Sequence, residues 1–169
     1  MTHKNINPGE VMLRAVALLL LLMLGGCAQT TALHLQRASA LAGQSGTLTM
    51  RHAAFDYTTV ALDHQVGVVG TARLVPASVP SWAKHVAQYV VYAYICDTSG
   101  NVLASGDIDF IPRTIEESGA LPFEIRIDTR FQPGDRPLQL AFGYRIVLRE
   151  SSMPDEGRSF VATEVALEE

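Results

Sequence analysis

The sequence predicts an all-β domain, a single antiparallel sandwich of seven to eight strands, and three observations predict it. From Thr47 onward apolar side chains recur at every second residue, the period of strands that bury one face. The apolar stretches are short, and Gly, Pro, Asn and Asp stand between them, the residues that turns require. One stretch, residues 87–97, is apolar on both faces, as a central strand reads when it is covered on both sides.

Taken in order, the alternation opens with Leu48 and Met50 against Thr47, Thr49 and Arg51. Residues 57–62 are β-rich but less regular. Val66, Val68, Gly70, Ala72 and Leu74 then alternate with Gly67, Val69, Thr71 and Arg73. Pro76 and Pro80 interrupt the chain, and residues 81–85 suit a single helical turn with Trp82 as a lid on one end of the core. In residues 87–97, Tyr89, Val91, Ala93 and Ile95 form one face and Val90, Tyr92, Tyr94 and Cys96 the other. Such a strand is either covered twice or keeps one face for a partner. Asp97-Thr98-Ser99-Gly100-Asn101 closes a hairpin with residues 102–112, where Ile108 and Phe110 alternate with Asp107 and Asp109. Phe123, Ile125 and Ile127 face inward against Glu124, Arg126 and Asp128. After the Pro133-Gly134-Asp135 turn, Leu138, Leu140, Phe142, Tyr144, Ile146 and Leu148 make a long inward stripe, with Arg145 and Arg149 on its other face. Residues 151–157 read as loop and 160–165 as a last edge strand or a fraying end.

Ahead of the domain, residues 15–27 read AVALLLLLMLGGC, with Arg14 before them. The uninterrupted apolar part is about half of the ~20 residues that a membrane span needs. It is apolar all round, unlike an amphipathic core helix. Its end, Leu24-Gly25-Gly26-Cys27, resembles the lipobox of bacterial lipoprotein signal peptides. The resemblance implies cleavage before Cys27, a covalent lipid on Cys27 and residence in the cell envelope. Ala28-Gln29 follows the cysteine where aspartate would retain the protein in the inner membrane, which implies the outer membrane, facing the periplasm. Lys4 is offset by Glu10 at the start of the leader, and a start at Met12 gives a cleaner positive region. The expected organisation is a signal peptide over 1–26, a lipidated tether over 27–46, the sandwich over 47–150 and an acidic tail over 151–169. The small, polar residues 28–46 read as the tether, with a short strand or turn of helix around 33–41.

Residues 27–149 carry ten Lys and Arg against ten Asp and Glu, and residues 150–169 carry six acids against Arg158 alone. A neutral body with an acidic tail excludes a nucleic-acid footprint. With Cys27 acylated, Cys96 has no partner in the chain, so no internal disulfide is expected, and Cys96 reads as a small buried hydrophobe. The histidines after the anchor (His34, His52, His64 and His85) are scattered, and no nucleophile elbow or phosphate loop is present. Asp107 and Asp109 share one strand face and read as solvated. The Asp97–Asn101 turn lacks the downstream glutamate of a calcium loop. No metal and no cofactor beyond the lipid is expected.

Residues 68–74, 94–106 and 121–125 together resemble the immunoglobulin-like domains of the FxLYD type. Those domains carry a strand with G-x-x-x-N, a strand ending L-Y-D-x-x-G and a P-F-x-hydrophobic strand. Leu74 stands where that family has asparagine and Cys96 where it has tyrosine. The resemblance implies an immunoglobulin-like sandwich used for binding or scaffolding, and it brings no catalytic residues with it. The expected function is therefore a lipid-anchored, non-enzymatic accessory, scaffold or binding subunit of an envelope assembly, touching the membrane through its lipid and a protein partner through its surface. A small-ligand or glycan-binding module is the alternative, and a hydrolase with scattered catalytic residues a further one. If the Tyr89 face is the core, Tyr92 and Tyr94 point outward, and exposed tyrosines are favoured interface anchors.

Overall fold

The computed structural model describes residues 29–62, 64–129 and 137–168. Cys27, the signal peptide and the Pro133-Gly134-Asp135 turn lie outside the described residues. Within them the chain forms twelve strands: β1 (Thr30–Thr31), β2 (Arg37–Ser39), β3 (Ser45–Thr49), β4 (Ala53–Leu62), β5 (Gln65–Leu74), β6 (His85–Cys96), β7 (Val102–Phe110), β8 (Arg113–Thr114), β9 (Leu121–Asp128), β10 (Gln139–Arg149), β11 (Ser159–Glu164) and β12 (Leu167–Glu168). Eight of them, β3 to β7 and β9 to β11, run for five residues or more. The other four are two- and three-residue pieces, too short for alternation to reveal. Two single 3₁₀ turns, Pro76–Ser78 and Glu116–Ser118, are the helical elements among the described residues.

Two antiparallel sheets pack face to face. The smaller has the order β3-β4-β5-β9 and the larger β11-β10-β6-β7. In the larger sheet each flank of the central β10–β6 pair is shared by two strands placed end to end. β11 and β2 line β10, while β7 and β8 line β6. The chain changes sheet after β5, returns for β9 beside β5, and changes again for β10 beside β6. That is the way strands B, E, C, F and G are distributed in an immunoglobulin-type sandwich.

The inward residues are the ones that alternation selects. In β9 buried and exposed residues alternate without exception, and in β10 Leu140, Phe142, Tyr144, Ile146 and Leu148 are all buried. Phe142 sits at the centre, stacked on Phe55 with ring centroids 4.7 Å apart and flanked by Tyr57 and Phe123. In β6 the Tyr89, Val91, Ala93, Ile95 face is the core. Val86 joins it although it is an odd number of residues from Tyr89. The pairing with β10 skips Ala87, a β-bulge that reverses the strand's parity.

Two local expectations change. Residues 81–85 make no helical turn: Ala83 donates to Pro80 O at 2.9 Å in a tight turn, and β6 begins at His85. The helical turn stands five residues earlier, where Pro76 starts it with the fixed φ suited to a first helical position. Trp82 is half-buried, with the Arg158 guanidinium 4.9 Å from its ring centroid. The larger change concerns residues 30–46, whose composition reads as tether. From Thr30 onward they belong to the domain. Thr31 bridges to Asn101, Ala32 and Leu35 are buried on the outer face of the larger sheet, and β2 pairs with the start of β10. Ala40 enters the core, and the buried Thr59 hydroxyl donates to the carbonyls of Leu41 and Gln44. Small side chains here serve close packing rather than flexibility.

The core centre makes a direct test. We expect Phe142→Ala to cost about 3–5 kcal/mol of stability, transfer and cavity terms together, whereas Val161→Ala on the exposed face of β11 stays within about 0.5 kcal/mol. Urea denaturation of the two variants measures both.

Candidate functional site

The outer face of the larger sheet is where the sequence leaves apolar side chains without a core. Here the first and last described strands meet. β1 pairs with β12, Thr30 opposite Glu168 and Thr31 opposite Leu167. Ala32, Leu35, Tyr94, Cys96 and Ala141 form a second buried cluster beneath this ribbon, with Ala166 packed on it. The ribbon lies close because β10 has a glycine below it. A Cβ on Gly143 would stand 2.8 Å from Glu164 O, 3.0 Å from Tyr94 and 3.2 Å from the Val165 backbone.

This cover decides the fate of the two tyrosines. Tyr94 is 7% exposed and therefore buried, which removes it as an exposed anchor. Burial pushes its hydroxyl up to about 12, against the Ala166 backbone N–H that donates to it, with Tyr92 and Asp107 adding to the rise. Tyr92, one pleat further from the ribbon, remains half-buried and lies parallel to Tyr94, with ring centroids 6.2 Å apart and an interplanar angle of 10°. Tyrosine exposure on β6 thus ends where the ribbon begins.

Between the ribbon and β7 the sheet carries a groove of about 380 Å³. Tyr92 forms its floor, Asp107 and Ser105 stand on the β7 side, and Arg145, Thr163 and Glu168 line the other. Strand register builds it: Tyr92 pairs with Asp107, Tyr94 with Ser105, and Arg145 with Thr163. Arg145 Nε donates to Gln88 Oε1 at 3.2 Å, which holds the guanidinium along the sheet. An aromatic floor with one cation and two carboxylates on its rim offers stacking, donors and acceptors. It suits recognition of a polar chain of low net charge.

The other singled-out residues lie apart from the groove. Asp109 is exposed beyond Asp107 on β7. Asp97 holds the hairpin turn by accepting from the Asn101 backbone N–H at 3.0 Å and from its amide at 2.8 Å, with Gly100 at φ +89°. Partial burial opposes its ionisation, and these hydrogen bonds outweigh it, so its carboxyl sits below the usual range. His34 lies in the turn after β1, His52 beside Tyr144 and Phe160, His64 in the β4–β5 turn at φ +58°, and His85 at the start of β6. Among the described residues no group of three His, Cys, Asp or Glu gathers to hold a metal. Sequence reasoning missed Thr163, Ala166 and Glu168 as neighbours of Tyr92. Arg145 had a signal, because it faces away from the inward stripe of β10, but only strand pairing brings it to Tyr92. No family model, curated protein or solved structure matches the chain.

Cys96 reports on the ribbon. It is fully buried, and burial pushes its thiol up to about 11. A thiol raised in the fold contributes stability that is complete below about pH 9 and lost as pH rises towards 11. We expect maleimide to leave Cys96 unmodified at pH 8 in the folded chain and to label it after unfolding. Gly143→Ala, whose Cβ meets the Glu164 and Val165 backbone, should lower the melting temperature and speed labelling at temperatures where the fold is retained. Equal labelling rates in the two proteins would show that the ribbon does not guard the thiol.

Proposed function

We propose that the chain is a lipid-anchored envelope protein whose sandwich serves as a non-enzymatic binding module, with the Tyr92 groove as its contact surface. The observation that carries this reading is a spacing. Cys27, the lipobox cysteine, stands three residues before Thr30, where β1 starts. Three residues of fully extended chain reach about 10 Å. A lipid on Cys27 therefore holds the domain directly against the membrane surface, with the β1–β12 ribbon at the anchored end. One acyl chain alone anchors only marginally, and several together anchor stably. Confinement to the surface raises the effective concentration of the groove towards a partner in the same envelope. Outer-membrane residence facing the periplasm rests on Ala28-Gln29 after the cysteine.

The groove also supports a second reading, a glycan-binding module. A half-exposed tyrosine with hydroxyl, carboxylate and guanidinium groups around it matches the stacking and hydrogen bonding that a sugar ring takes.

Membrane fractionation of Cys27→Ser tests the anchor. We expect the wild-type chain in the membrane fraction with acyl groups on its new N-terminus, and the variant soluble or still carrying its leader. A variant that is still acylated and membrane-bound contradicts the reading. In crosslinking from intact membranes, an envelope partner captured equally by Tyr92→Ser would remove the groove from the account.

A further inference from the structure

At the pole of the sandwich opposite the β1–β12 ribbon, the same outer face carries a second concavity of about 350 Å³. Its floor is a row of side chains set in register across three strands. Arg149 of β10 pairs with His85 of β6, and His85 pairs with Thr114 of β8. The bulge at Ala87 makes the row possible. Because it reverses the parity of β6, Val86 turns into the core and His85 turns outward beside Arg149. Arg113, Glu117, Ser151 and Ser152 complete the rim, and Ala87 and Pro112 supply an apolar wall.

The charges here are unevenly committed. Glu150, the nearest acid on β10's exit, is engaged by Arg158 through Nε at 2.9 Å and Nη2 at 3.0 Å. Glu117 accepts from the Thr114 backbone N–H at 3.2 Å and so closes its own turn. Arg113 Nε donates to Ile111 O at 3.0 Å. Arg149 Nε is buried and donates to nothing among the described residues. A buried donor without an acceptor costs about 1–3 kcal/mol, more on a charged group, and native proteins rarely retain one without a use.

We propose that this pocket binds an oxyanion, a carboxylate or phosphate group carried on a small molecule. The guanidinium of Arg149 supplies a planar fork matched to two oxygens of such a group. His85, Thr114, Ser151 and Ser152 bring an imidazole and three hydroxyls to the same concavity, and the apolar wall accepts the ligand's body. Its volume lies at the small end of ligand sites. The site is independent of the Tyr92 groove and of the lipid anchor, and an anchored chain would present it at the pole away from the membrane.

The test is calorimetric titration of the full chain in a non-ionic detergent with inorganic phosphate and, separately, with N-acetyl-alanine, followed by amide chemical shifts. Saturable binding of either probe that shifts the amides of His85, Thr114 and Ser151 supports the proposal. Phosphate alone marks a phosphoryl ligand, and N-acetyl-alanine alone marks a carboxylate borne on an apolar body. Arg149→Gln should weaken binding by about tenfold or more, the loss expected for a charge-assisted hydrogen bond, and Arg149→Lys should restore part of it. Arg145→Gln, in the groove, should leave it unchanged. Non-saturable shifts spread over Arg37, Arg51 and Arg73 would overturn the proposal. So would binding equal to wild type in a folded Arg149→Gln.

Discussion

Strand β6 carries apolar side chains on both faces, and packing two sheets together buries only one of them. Tyr89, Val91, Ala93 and Ile95 go into the core. The opposite side chains of Tyr94 and Cys96 need a second cover. The segments at the two ends of the described residues provide it. Residues 30–35 cross the sheet from the β6–β7 hairpin towards the edge of β10, and residues 165–168 return to meet them. Gly143 is the concession that lets the backbone at Glu164 and Val165 lie close on the sheet. The fold is thus a sandwich with a third, partial layer made of residues 30–35 and 165–168.

That layer has functional consequences. It closes Tyr94 and Cys96 away from solvent and leaves Tyr92 at its margin, so the Tyr92 groove exists because the ribbon stops where it does. It also fixes where the chain enters the domain. An N-terminal lipid would be tied to an ordered strand rather than to a long flexible spacer, so the domain would hold one orientation at the membrane. The groove opens on the flank near the β1–β12 ribbon, and the Arg149 pocket sits at the other pole.

Much of the fold was legible because alternation reports burial directly. The inward stripes of β9 and β10, the Asp97–Asn101 hairpin and the central place of β6 follow from residue order alone. Other features were not legible, for identifiable reasons. Residues 30–46 are small and polar, which suits a tether and a tightly packed crossing equally well, and composition does not distinguish them. Tyr94 and Tyr92 are equivalent by alternation, and only the position of Ala166 above one of them separates buried from half-exposed. His85 and Arg149 share a face because of a bulge at an alanine, which leaves no mark in the hydrophobic pattern. The resemblance of Leu24-Gly25-Gly26-Cys27 to a lipobox, by contrast, would have its meaning in processing rather than in packing.

The most direct measurement of the central claim, that β1 and β12 pair across the outer face, is a designed crosslink. Thr30 and Glu168 are directly opposed in the β1–β12 ribbon, and opposed antiparallel residues have Cα atoms about 4.5–5.5 Å apart, within disulfide range. With Thr30→Cys and Glu168→Cys in the intact chain, mild oxidation should give an intramolecular disulfide in nearly every molecule, with Cys96 still unreactive and the fold retained. Free thiols at both positions, each labelled at the rate of an unfolded peptide, would mean that the ends do not meet. The covered sheet, the short connection to Cys27 and the boundary of the groove would then all need another explanation.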